Sequence, residues 1–463
     1  MTQLFLHGFG TRYDLPAPLV LYLFVGGFVV VVSFVLVALF AGDRLGERAV
    51  RYPRRRARLL DPLVNSRAVR IAGRALGLAW LLAVIVTGFF GSPTAYYNPA
   101  EYLVWVYFWA LLVVLSGAVG NLWDWVNPWI PLHAALDRLS PSPLKPRPLP
   151  KRLGIWPAVA LYFLFAYLEL ASGVAAFPAA IAAVALAYSV LTVAGMLVFG
   201  RDPWLSHAEP FTLLFGIVGR FAPIETDKDR RSRQQAVYVR PWGVGLLRDE
   251  PASWDWIVFV ILMLSTLAFD GLLATPFWRA IQPFFYQLGG QAAGRTIALI
   301  ALTGTFLLAF VLVMRLVMWF GWPEGLDRQP VLRTMVAFAF TLVPIALVYN
   351  AAHNYTYITI QAQLLIPLLA DPLQKGWHLL PLPPAAGYRP NFAIASPVIV
   401  WYAQVVLIVL GHVIAVYLAH LRAGERFKRA VQVLQSQYPM LALMVLYTIT
   451  SLWILAQPVT KEV

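Results

Sequence analysis

Apolar runs alternate with short polar segments along this chain. Ten of the runs approach the roughly 20 helical residues needed to cross a hydrocarbon layer about 30 Å thick. The predicted spans are 19 to 41, 75 to 91, 102 to 119, 155 to 171, 178 to 199, 255 to 274, 296 to 320, 334 to 370, 397 to 420 and 440 to 456. This pattern predicts an all-α, polytopic membrane helix bundle forming a single transmembrane domain over 1 to 463. Two stretches break the rhythm. The run HAEPFTLLFGIVGRFAPIE, inside a polar segment from 200 to 253, is apolar for only about twelve residues between its charges. It is too short to cross and predicts a re-entrant or interfacial segment in a cytoplasmic loop, where the alternation around AVYVRPW also predicts a short hairpin. The proline-rich loop from 371 to 396 predicts a lid over the outer surface.

Within the spans the polar exceptions matter most, because ionisable groups in a bilayer usually face the protein interior and mark sites. The stretch from Pro397 to His420 carries Gln404, His412 and His420 and no Asp, Glu, Lys or Arg. The span before it is apolar at both ends and polar in the middle, where Asn350, His353, Asn354, Gln361 and Gln363 cluster; Pro344 should kink it. Asp270 lies in the outer third of the sixth span. A membrane-embedded Asp is unfavourable by about 2.5 to 3.5 kcal/mol, so it calls for a partner. Arg315 in the seventh span is one candidate, although it sits near the inner end and is placed to snorkel to the headgroups. Glu169 ranks behind these.

Composition excludes several classes. Of the 463 residues 60% are hydrophobic and 13% charged, with a mean hydropathy of +0.69, against a charged share of about 25% in soluble domains. With no cysteine, disulfides, thiolate metal sites, iron–sulfur clusters and c-type haem attachment are ruled out in this chain. A formal charge of +14 would suit nucleic acid, but position argues against that partner. Alternate loops hold 29 of the 36 Lys and Arg, six lie on the other side and Arg315 lies within a span. That is the positive-inside pattern, and it places both termini outside. On the outer arm His7, Arg12 and Asp14 sit among glycines, where they can cover a pocket mouth. The segments NPWIPLHA and DPWLSHA suggest a duplicated hairpin of the kind found in transport folds.

The sharpest chemical set is Asp270, His353 and His412, with Asn350, Gln361 and Gln404 as hydrogen-bonding groups behind them. A carboxylate and neutral imidazoles can ligate a divalent metal, and Asp270 or His353 can act as a general base. A histidine pair on the eighth and ninth spans could instead hold haem. His412 and His420, eight residues apart, stand about 12 Å apart along the axis and roughly 80° round it, so they cannot share one ion. Plain interhelical hydrogen bonding, about 0.6 kcal/mol on average, is the competing explanation. There is no Walker A loop, HExxH, GxSxG, dinucleotide fingerprint or EF-hand.

HGFGTRYDLPAP (7 to 18), GNLWDWVNPW (120 to 129), LSTLAFDGLLATPFW (264 to 278), AHNYTYITIQAQ (352 to 363), DPLQKGW (371 to 377) and GHVIAVYLAH (411 to 420) together resemble a bacterial inner-membrane family labelled fenitrothion hydrolase. The resemblance runs nearly end to end. It implies a membrane organophosphorus hydrolase made of two integral membrane subunits, so a second subunit and a small apolar substrate become expected partners beside the lipid bilayer. The residues available for the chemistry would be Asp270 and His353, with His412 as a third. A haem- or metal-binding redox subunit and a membrane transporter remain the alternatives.

Overall fold

The computed structural model describes residues 18–40, 53–139, 146–228, 234–322, 330–427 and 429–457; the arm bearing His7, Arg12 and Asp14 lies outside them. Eleven helices carry the architecture: α1 (Leu19–Phe40), α2 (Arg67–Phe90), α3 (Pro99–Ala118), α4 (Trp156–Leu170), α5 (Pro178–Phe199), α6 (Pro210–Phe221), α7 (Trp254–Leu273), α8 (Gly290–Gly321), α9 (Val331–His353), α10 (Pro397–Arg426) and α11 (Ala430–Ala456). All but α4 and α6 are long and apolar enough to cross a membrane, nine among the described residues. The molecule is an all-α, multi-pass membrane helix bundle. The fourth expected span is the short α4, whose 15 residues rise about 22 Å, less than the full hydrocarbon layer.

Helices α7 and α9 form the buried centre, while α1, α2 and α8 leave most of their surface to the surrounding medium. Outward-facing apolar residues such as Phe24, Phe28, Leu308 and Leu312 are what a lipid-facing helix requires. The twelve-residue run becomes α6, and it does not lie on the surface. Phe211, Leu214, Phe215, Ile217 and Val218 are all buried in the main core. Its start is held by Glu209, which accepts hydrogen bonds from the Phe211 and Thr212 backbone N–H groups and from Tyr188 Oη at 2.5 Å. This is an N-cap built inside the protein.

The hairpin exists as β2 (Ile224–Lys228) and β3 (Gln235–Val239), with β1 (Arg55–Arg56) on the other side of β3; all pairs are antiparallel, with Ile224 and Arg55 both opposite Val239. Ion pairs tie this small sheet to the bundle. Glu225 accepts from Arg54, Arg240 and Arg248, and buried Arg240 also donates to the Gly219, Arg220 and Ala222 carbonyls at the end of α6. Asp249 accepts from Arg333, Arg422 and Arg426, which fastens the ends of α9 and α10 together.

The predicted span from 334 to 370 is the one that changes most. It tightens to a 3-10 turn at Phe340–Leu342 just before Pro344, which cannot donate a backbone hydrogen bond. The helix then stops at His353. Short turns follow: Tyr355–Thr359, Gln361–Leu364 and Leu365–Leu368. The polar cluster read as the middle of a span is where the helix ends, with the Asn354 N–H closing it on the Ala352 and Asn350 carbonyls. α3 departs from regular geometry as well, running as a wide π-helix over Tyr102–Leu111.

Candidate functional site: a buried carboxylate–imidazole pair

The site begins with a tie at the opposite end of the bundle. Gly154 takes φ = +49°, and a Cβ there would meet Asp255 Oδ2 at 2.1 Å. Its backbone turn presents the Ile155 N–H to that carboxylate at 2.7 Å. This fixes the start of α4 beside the start of α7, and both helices run in the same direction. Glu169 is 14 residues beyond Ile155 and Asp270 is 15 beyond Asp255, so equal rises of about 21 and 22 Å bring the two acids to one level. Glu169 and Asp270 accordingly interact electrostatically, and the Trp109 side chain lies beside Glu169.

α9 supplies the imidazole. His353 Nε2 lies 3.0 Å from Asp270 Oδ2, and the histidine side chain is 6% exposed. One turn earlier, Tyr349 stacks on the imidazole with ring centroids 5.8 Å apart and planes 12° apart. Gly271, next to Asp270, makes room for that phenol: a Cβ would come within 2.2 Å of Tyr349 Oη. Gln404 of α10 donates to the Ala352 carbonyl at 3.0 Å, steadying the helix end that carries His353. With the carboxylate accepting the Nε2 proton, the ring keeps its lone pair on Nδ1. That is the tautomer of a general base oriented by an acid.

Other polar groups close the outer end around the pair. Tyr357 senses the charges of Asp270, Glu101 and Glu169. Glu101 is 3% exposed, and among the described residues its Oε1 is buried without a hydrogen bond, as are Tyr349 Oη and Asn350 Oδ1. Sequence reasoning missed Glu101, because a Glu in the first turn after Asn-Pro reads as a complement to the helix dipole. Gln361 lies in the tight turn beyond the helix end. Gln363 clamps the 371 to 396 loop by accepting from the Asn391 N–H and donating to its carbonyl.

His412 does not join them. Gly411 packs against Val348, five residues before His353, so His412 sits about 8 Å deeper along α9. Its Nδ1 lies 2.7 Å from the Ile408 carbonyl. A carbonyl can only accept, so Nδ1 carries the proton and the bare Nε2 is buried without a partner among the described residues. That tautomer would suit a metal ligand, yet no group of three or more His, Asp or Glu side chains among the described residues stands close enough to hold a metal ion. The expected Asp270, His353 and His412 metal set is therefore not assembled, and the difference in depth keeps the two histidines from flanking one haem iron. His420 pairs with Gln437, His378 is exposed in the 371 to 396 loop, and Arg315 is exposed on α8.

A cavity of about 440 Å³ lies between α2, α3, α4 and α5, lined by apolar and aromatic side chains. Trp105 and Phe165 form part of its wall, and Trp109, which lies beside Glu169, packs edge-on against Phe165 at 4.7 Å. No family model, no curated protein sequence and no solved structure matches this chain.

Proposed function

We propose that this chain is a hydrolase, or one subunit of a hydrolase, of a bacterial inner (cytoplasmic) membrane that acts on neutral organophosphorus triesters such as fenitrothion. The observation that carries this reading is the Asp270–His353 pair, a carboxylate and an imidazole from separate helices meeting at 3.0 Å in a largely buried place. His353 takes a proton from water at its other ring nitrogen while Asp270 holds the Nε2–H. The water oxygen bonds to phosphorus, the phosphorus–aryloxide bond breaks, and the proton passes to the departing nitrophenolate, leaving a dialkyl thiophosphoric acid. The sequence resemblance supports the substrate class and a second integral membrane subunit; the positive-inside distribution supports the inner membrane.

The test is nitrophenol release by membranes containing the chain, with and without a co-expressed partner subunit. Asp270→Asn and His353→Gln are each expected to lower turnover about 10²- to 10⁴-fold, the range for a lost general base, with the protein still folded in the membrane. Unchanged turnover in both variants overturns the assignment. A transporter is the second reading, favoured by the break in α9 at His353–Asn354, because interrupted membrane helices line solute paths. Solute flux without turnover identifies it.

A further inference from the structure

The apolar cavity between α2, α3, α4 and α5 has no part in the proton chemistry, and its construction identifies its occupant. Most of its lining comes from α2, α3, α4 and α5, with Trp123, Val126, Pro128 and Trp129 supplied by the segment after α3. Two of its lining residues, Leu164 and Leu191, are 47% and 43% exposed, so it opens sideways into the hydrocarbon. Four of the polar atoms on its aromatic walls are already engaged. Trp80 donates to the Leu103 carbonyl, Trp105 to Ala175 and Trp129 to Ser189, while Tyr188 donates to Glu209. The Trp123 indole nitrogen has no hydrogen-bond partner among the described residues, but it is buried.

We infer that this cavity binds a neutral, lipophilic aromatic molecule taken up laterally from the bilayer. A wall that is almost wholly apolar, with its one unpartnered indole N–H buried, offers an occupant little hydrogen bonding, so a charged or strongly polar ligand would lose its hydration for little in return. Trp80, Trp105, Phe108, Trp129, Phe165 and Tyr188 instead present faces and edges on which a flat ring packs well, in a volume within the usual range for small-molecule sites. The Trp105–Phe165–Trp109 wall separates this volume from Glu169 and the pair it adjoins. Calling the occupant a substrate rests on the hydrolase reading; the binding site itself does not.

The probe is benzophenone, a neutral aromatic ketone that photocrosslinks to C–H bonds, added to the full chain in phosphatidylcholine nanodiscs. After irradiation, adducts should concentrate on cavity-lining peptides of α2 to α5. Ala185→Trp, which fills the space, should lower them about fivefold, close to 1 kcal/mol of lost binding. Adducts spread evenly over α1, α8 and α10, or unchanged in Ala185→Trp, overturn the inference. Competition in the unaltered protein gives a reading that needs no variant: a neutral aryl phosphotriester should displace the label, whereas displacement by hexadecane alone identifies an acyl chain as the occupant and also overturns it. The two readings fail separately. Localised labelling without hydrolysis removes the hydrolase and keeps the cavity site, and hydrolysis without localised labelling does the reverse.

Discussion

His412 was the residue most conspicuous in the sequence, an imidazole in the middle of an apolar run, yet it bonds only to its own helix and stands apart from the acid–base pair. Ile408 O also has the backbone N–H of residue 412 within the helix to satisfy it, so removing the imidazole leaves no acceptor stranded, whereas the orphaned Nε2 disappears. A buried unsatisfied polar group is unfavourable by about 1 to 3 kcal/mol. His412→Leu should therefore keep turnover within about twofold of the unaltered chain and leave the melting temperature unchanged or higher. A large loss of turnover with the fold intact would show that this ring reaches the chemistry. Asp270 and His353 were legible because a carboxylate and an imidazole within apolar spans call for partners. Glu169 ranked only behind them and Glu101 was missed, since their place beside Asp270 and Tyr357 depends on helix register and on a fold in the chain that no local spacing reveals.

At the scale of elements, the relative height of α4 and α7 is set by one turn of backbone. The positive φ of Gly154 and its closeness to Asp255 leave no room for a side chain, and Asp255 also accepts from Ser253 and from the Trp256 N–H. Gly154→Ala should lower stability by about 1 to 3 kcal/mol, the range for strained backbone, and it should lower turnover as well by shifting Glu169 against Asp270. Thermal unfolding in detergent together with the nitrophenol assay checks both; a full effect on stability with none on turnover would confine the tie to a structural role. The long apolar helices, the short α6 and the hairpin were all readable from hydropathy and alternation. The end of α9 at His353 was not, because the apolar residues beyond it continue the pattern in short turns after the helix itself has stopped.

For the whole molecule, the basic loops, the small sheet and the Asp249 and Glu225 ion pairs all gather at one end, while Asp270, His353, Glu101 and Glu169 gather at the other. A chain without cysteine makes the orientation directly measurable. In intact cells a membrane-impermeant maleimide should label Arg389→Cys and spare Asp137→Cys until the membrane is opened; the opposite order would invert the topology. Asp270 lies in the last turn of α7 and His353 is the final residue of α9, so the pair sits at one end of both helices, at the other end of the bundle from the ion pairs. On the hydrolase reading, a neutral, oil-soluble ester broken at that end of the bundle would leave a strong acid, which ionises and which the bilayer no longer dissolves. With the orientation that the basic loops predict, that reading has the spent fragments leave on the outer side, before the compound has crossed into the cell.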